Sequence, residues 1–124
     1  MSIVVTDTGF GLDDWNGRTT LDLPLDADPA GMVGKLPTLP MIRITFTSFA
    51  DGRGFTLARQ LRRMGFTGRL RARGHVLADQ YGMARRAGFD EVEIDTDLAA
   101  RQPENQWLAR ADWGAHDYQS RLRG

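Results

Sequence analysis

The sequence predicts an α/β fold in one domain, residues 1–124, with about four mainly parallel strands in repeated βα units and helices on one face, like a partial β/α barrel. Three observations predict it. Strand-period stretches alternate with helix-period stretches. Arg62-Arg63-Met64-Gly65-Phe66 is echoed by Arg85-Arg86-Ala87-Gly88-Phe89, each read as a helix end with a glycine cap before a strand. The strands are apolar on one side only, so helices taken in sequential right-handed order all cover that side.

Residues 1–20 are loosely patterned. Ile3–Thr6 reads as a short strand, and Gly9, Gly11 and Gly17 interrupt the residues after it, giving a loop or hairpin; Trp15 is assigned to the core. Leu21–Leu25 alternates at strand period, and Pro24 cannot donate to a ladder, so this strand belongs at an edge. Asp28-Pro29 then reads as the start of a short helix over Pro29–Leu36, ended by Pro37 and Pro40. In the strand Met41–Phe46, Ile42, Ile44 and Phe46 alternate with Arg43 and Thr45. A helix over Gly54–Met64 comes next, with Leu57, Ala58, Leu61 and Met64 on one side. Arg69–Ala72 is the third strand, Val76–Ala87 the next helix and Glu91–Asp95 the fourth strand. Residues 97–124 form a C-terminal helical segment, with a helix over Leu98–Ala109 started or kinked near Pro103. The expected core joins Ile44, Phe46, Leu57, Leu61, Leu77, Tyr81, Val92 and Ile94.

The other sheet face presents Arg43, Thr45, Arg69, Arg71, Glu91 and Glu93. Arg71 and Glu93 are placed to pair across neighbouring strands. That face is either solvated, closed by the C-terminal segment, or paired with a second copy in a homo-oligomer.

Composition narrows the function. The hydrophobic fraction of 41% and charged fraction of 26% are those of a globular domain. Lys plus Arg and Asp plus Glu are both 16, so no global field draws nucleic acid or a membrane surface. Lys35 is the single lysine; arginine suits forked oxyanion contacts, although GC-rich coding gives the same bias. With no cysteine there is no disulfide and no thiolate for an iron–sulfur cluster or thiol chemistry. No apolar run reaches membrane-spanning length and no secretory signal opens the chain, so a cytoplasmic location is expected.

Parallel sheets gather ligand sites at the carboxyl ends of their strands. The candidates there begin with the turn Asp51-Gly52-Arg53-Gly54. Its glycines let the backbone turn tightly or approach a ligand, and Arg53 adds a forked donor. Gly52, Arg53, Gly54 and Arg73 are the anion-binding candidates. Asp51, Asp79 and His75 are the candidates for moving a proton. Asp26, Asp28, Gln80 and Asp95 complete the rim. The plain alternative is a βα turn with Asp51 as a cap, a surface His75, and Asp79 stabilising a first helical turn. No compact metal motif and no full dinucleotide fingerprint is present, and no cofactor is expected.

Four stretches, LDLPLDADP, FADGRGFTLARQLR, GRLRARGHVLADQ and RRAGFDEVEID, together resemble a small bacterial family of unknown function encoded beside sulfite reductase genes and labelled for a role in sulfite reduction. The resemblance runs from Leu21 to Asp95 and extends toward the end through Asp117-Tyr118-Gln119. It carries over Asp51, Gly52, Arg53, Gly54, Asp79 and Gln80 as candidates, since the family has no established catalytic residues. The chain departs from the pattern at His75, where Asp or Asn is commoner, and at Ser48-Phe49, where a proline-containing pair is common. The resemblance implies an accessory protein of assimilatory sulfite reduction, binding a small oxyanion or sulfite reductase itself. The residues alone leave two alternatives open: an enzyme for a small phosphorylated or sulfated compound, flavin-binding forms included, and a non-catalytic interaction module.

Overall fold

The computed structural model describes residues 2–15, 20–32 and 34–113. Six strands form one sheet: β1 (Ser2–Thr6), β2 (Gly9–Leu12), β3 (Thr20–Leu23), β4 (Met41–Phe46), β5 (Arg69–Gly74) and β6 (Glu91–Asp95). Their spatial order is β2-β1-β6-β5-β4-β3. Strands β3 to β6 run parallel, while β1 is antiparallel to both β6 and β2. The expectation of about four strands therefore falls short by the N-terminal hairpin. The sheet is open, with β2 and β3 at its edges, and the antiparallel hairpin sets it apart from a β/α-barrel segment, whose strands are all parallel.

Helix α1 (Arg53–Arg63) links β4 to β5, and α2 (Tyr81–Ala87) links β5 to β6. After β6 come α3 (Thr96–Arg101) and α4 (Glu104–Leu108). Local chemistry moved several boundaries. The expected helix over Pro29–Leu36 is instead two 3₁₀ turns, Pro29–Met32 and Leu36–Thr38; Gly31, Gly34 and Pro37 leave too few good helix formers to propagate a turn. Leu77 is extended, with ψ 153°, so a 3₁₀ turn at Ala78–Gln80 leads into α2 one turn later than the period suggested. Leu77 is accordingly only half-buried and is missing from the core, whereas the other seven expected core residues are buried. The C-terminal helix breaks at Gln102 and Pro103 into α3 and α4.

The core lies on one side of the sheet. Ile42, Ile44, Phe46, Leu70, Ala72 and Val92 join Phe55, Leu57 and Leu61 of α1, Tyr81 and Ala84 of α2, and Trp107 of α4 in one cluster. Two devices seal its lower end, and they explain the echoed pentapeptides. Gly65 and Gly88 both take positive φ, 103° and 116°. Behind them Phe66 N–H donates to Leu61 O and Phe89 N–H to Ala84 O. In each copy the first arginine folds back over the turn: Arg62 Nη1 donates to Phe66 O at 3.0 Å, and Arg85 Nη1 to Phe89 O at 2.6 Å. Each then reaches a carboxylate beyond it, Arg62 to Asp90 and Arg85 to Asp7.

Asp7 sits in the β1–β2 turn and accepts from the buried Tyr81 hydroxyl at 2.5 Å and from Arg85 Nε at 3.2 Å. Burial by itself would raise its carboxyl pKa; the Tyr81 hydroxyl and the Arg85 guanidinium outweigh that and hold it below the usual carboxylate range. A carboxylate depressed in the folded state stabilises fully above its unfolded value of 3.8 and loses that contribution as pH falls through the lower folded value. Asp7→Asn should therefore cost about 1 kcal/mol at neutral pH, discounted for exposure. Denaturant melts across acid pH should show the gap between variant and wild type closing below pH 3.8. A gap independent of pH would mean that the Asp7 charge does not pin the hairpin.

Candidate functional site

The carboxyl ends of β3 and β4 enclose a pocket of about 280 Å³ lined by Pro24, Leu25, Asp26, Thr45, Thr47 and Arg53. Thr45 points to the polar face because it alternates with the buried Ile44 and Phe46. Arg53 opens α1 beside it, with its side chain 62% exposed.

The Asp51–Gly54 turn is largely satisfied from within. Asp51 Oδ1 accepts from the Arg53 backbone N–H at 3.0 Å, and the carboxylate takes Arg53 Nε and Nη2 at 3.1 and 2.7 Å. The hydrogen bond from the Arg53 side chain, then the one from its backbone N–H, holds the Asp51 carboxyl below the ordinary range. Asp51 is thus an ionised cap and a poor proton carrier near neutrality. Arg53 is correspondingly raised, first by the Asp51 bond and last by the negative charge of Asp26.

The glycines divide. A Cβ on Gly54 would run into the Phe46 ring, so this glycine serves the packing of α1 on β4. Gly52 has φ −86° and open space around a built Cβ. Gly74 has φ 103° and passes close to Phe46 O, which then accepts from His75 N–H at 3.1 Å.

The remaining candidates are dispersed. His75 Nδ1 lies 3.2 Å from Phe46 O, and its ring meets Phe49 edge-on at 5.2 Å. Gln80 Oε1 accepts from Leu77 N–H at 2.8 Å while Nε2 donates to Phe49 O at 2.9 Å, tying two rim loops together. Asp79 pairs with Arg110 at 2.9 Å in a separate pocket of about 150 Å³ that also includes Arg86 and Trp113. Asp28 accepts from Ala30 N–H as a turn cap, and Asp95 accepts from Leu98 N–H as the N-cap of α3. Arg73 lies on the polar sheet face, with Nε 3.5 Å from Glu93 Oε2. The rim thus brings Asp26, Asp51, Gly52, Arg53 and Gly54 together. It does not assemble Asp51, His75 and Asp79 into a proton-moving set. Among the described residues no group of three His, Asp or Glu side chains is placed to hold a metal ion. Sequence reasoning missed the pocket roles of Pro24, Leu25 and Thr47; the signal available was their position just past two parallel strands.

On the polar face, the expected Arg71–Glu93 pair is present at 2.9 Å, and both side chains are buried. Trp15 is not in the core: it lies half-buried with its ring centroid 5.1 Å from the Arg69 guanidinium.

Residues 20–124 match the family described as "Bacterial protein of unknown function (DUF934)". The chain belongs to this family. No curated protein and no solved structure matches it. The family match takes in β3 to β6, the rim pocket and the arginine-rich sheet face, and begins after the β1–β2 hairpin. No described helix is long and apolar enough to cross a membrane.

The two glycines of the turn should respond oppositely to alanine. Gly54→Ala should cost about 1–3 kcal/mol by overpacking against Phe46, whereas Gly52→Ala should stay within about 0.5 kcal/mol. Chemical denaturation of both variants checks this; a tolerated Gly54→Ala would free that glycine for a role in ligand approach.

Proposed function

We propose that this protein is an accessory of assimilatory sulfite reduction that binds a small sulfur oxyanion at its strand-end rim and carries no redox centre of its own. The observation that carries the binding half is the pocket between the β3 and β4 ends. It combines two threonine hydroxyls, Thr45 and Thr47, with the exposed guanidinium of Arg53. Hydroxyl and guanidinium donors suit a tetrahedral or pyramidal oxyanion. The sulfur half rests on the sequence resemblance alone. Binding is favoured over catalysis because the proton-moving candidates are not assembled: Asp51 is spent on Arg53, Asp79 on Arg110, and His75 lies apart from both against Phe46 O and the Phe49 ring.

Asp51 takes Arg53 Nε and Nη2, and Asp26 adds a further negative charge nearby. An incoming oxyanion therefore meets a guanidinium already partly neutralised and competes for it. A site of this kind releases its ligand easily, which fits a carrier or sensor better than a store.

Sulfate and sulfite should each raise the melting temperature beyond a chloride control of equal ionic strength. A ligand specific for the folded state adds about 1.4 kcal/mol at ten times its Kd. Sulfate also stabilises proteins by exclusion from their surface, so Arg53→Ala is the deciding comparison. The variant should lose most of the oxyanion-specific rise. An equal rise in both proteins would leave Asp51–Gly54 as a structural turn and remove Arg53 from the site.

A further inference from the structure

The charged face of the sheet carries an imbalance that the rim pocket does not use. Four guanidiniums, those of Arg43, Arg69, Arg71 and Arg73, converge on two buried carboxylates. Glu91 serves Arg69 and Arg71, and Glu93 serves Arg43, Arg71 and Arg73. Asp22 meets one part of the deficit by taking Arg43 at 2.6 Å. The rest is met by the stretch after β2. Asp13 Oδ1 accepts from Arg71 Nη1 at 3.0 Å, Asp14 Oδ1 accepts from Arg69 Nη2 at 3.0 Å, and the Trp15 ring stacks with the Arg69 guanidinium.

We propose that the Arg69–Arg71 row is a docking surface for an acidic, tryptophan-bearing peptide segment of a partner protein, and that Asp13-Asp14-Trp15 occupies it in cis. The stretch has the form of a bound peptide. It has no regular secondary structure, its two carboxylates are exposed, and Asp13 Oδ1 also accepts from Trp15 N–H at 2.9 Å, so acid and ring are presented together. Asp14 pairs with the partly exposed Arg69, Asp13 pairs with the buried Arg71, and the Trp15 ring stacks on Arg69, so these contacts are made from outside the row and are replaceable. The row beneath does not depend on them. Glu91 holds Arg69 with two oxygens, at 2.6 and 2.8 Å from Nη2, and holds Arg71 through Nε at 2.8 Å, so the receptor stays ordered when the strap leaves. The family match supports the division. It includes Arg69, Arg71, Glu91 and Glu93 and begins after the strap. The inference is independent of the oxyanion site, since no residue of the row lines that pocket.

The test uses the full chain. The probe is a fluorescent peptide with the sequence of residues 11–17, Gly-Leu-Asp-Asp-Trp-Asn-Gly. In wild type the tethered strap competes at high effective concentration, so the peptide should bind poorly; in Asp13→Asn/Asp14→Asn/Trp15→Ala its affinity should rise by about tenfold or more. A control peptide with both Asp changed to Asn and Trp to Ala should bind neither protein, and added salt should weaken the specific binding. Equal peptide affinity for wild type and variant overturns the proposal. So does a variant that fails to fold by circular dichroism, because a segment a partner displaces cannot be what holds the sheet. A wild-type dimer that the triple substitution converts to monomer would assign the row to the strap of a second copy and likewise overturn it.

Discussion

The structure depends on a buried charge network in a place where an α/β sheet usually has a second layer of helices. Arg71 is 0% exposed, and Glu91 and Glu93 are 4% exposed, although no described helix covers them. Arg71 Nε and Nη1 make aligned bonds to Glu91 and Glu93 at 2.8 and 2.9 Å. Its Nη2 is 2.6 Å from Glu91 Oε2 but off the hydrogen-bond axis, so that contact is an ion pair without a directed bond. Burial disfavours the guanidinium's charge, and the bond to Glu93 and the charge of Glu91 more than restore it. Removing two carboxylates from water is tolerable here only because several cations share them. The network then leaves the described helices to pack on the opposite face, and the parallel run of β3 to β6 places their βα turns on one rim.

Both faces were legible in the strands. Ile42-Arg43-Ile44-Thr45-Phe46 and Glu91-Val92-Glu93-Ile94 alternate strictly, and parallel register aligns Arg43 with Arg71 and Arg71 with Glu91. What could not be read was that the charges would be buried by one another. That depends on which strands are neighbours, and period alone does not supply it. The N-terminal stretch was read as a loop or hairpin without a second strand being assigned, for a related reason. Gly9 and Gly11 argue against a strand, yet β2 has an antiparallel partner in β1, and Glu104 of α4 satisfies the N–H of Phe10 at 2.8 Å. Tertiary contacts outweighed local propensity.

The rim was legible in position and less so in role. The Asp51–Gly54 turn lies where the sequence placed it, but Gly54 is small to admit the Phe46 ring, and Asp51 is spent on Arg53. The motif-borne Gln80 is a brace between loops. Several residues that look chemical in sequence thus shape the rim, and the pocket itself is finished by Thr45 and Thr47, which carry no motif, and by Pro24, which was read only as an edge-strand marker. The echoed pentapeptides were read as helix ends and are; that each arginine also straps the turn behind its glycine is a matter of side-chain reach that spacing does not reveal.

The central claim is that mutual burial of Arg71 and its two glutamates closes the polar face. A double-mutant cycle on Arg71 and Glu91, with Arg71→Met and Glu91→Leu measured by denaturant melts, tests it most directly. Each single change should cost about 3 kcal/mol or more by leaving charge buried without its partner. The double variant should cost less than the two together, with a coupling of about 0.5–3 kcal/mol. Single costs below about 0.5 kcal/mol that simply add would show a solvated surface pair and contradict the account.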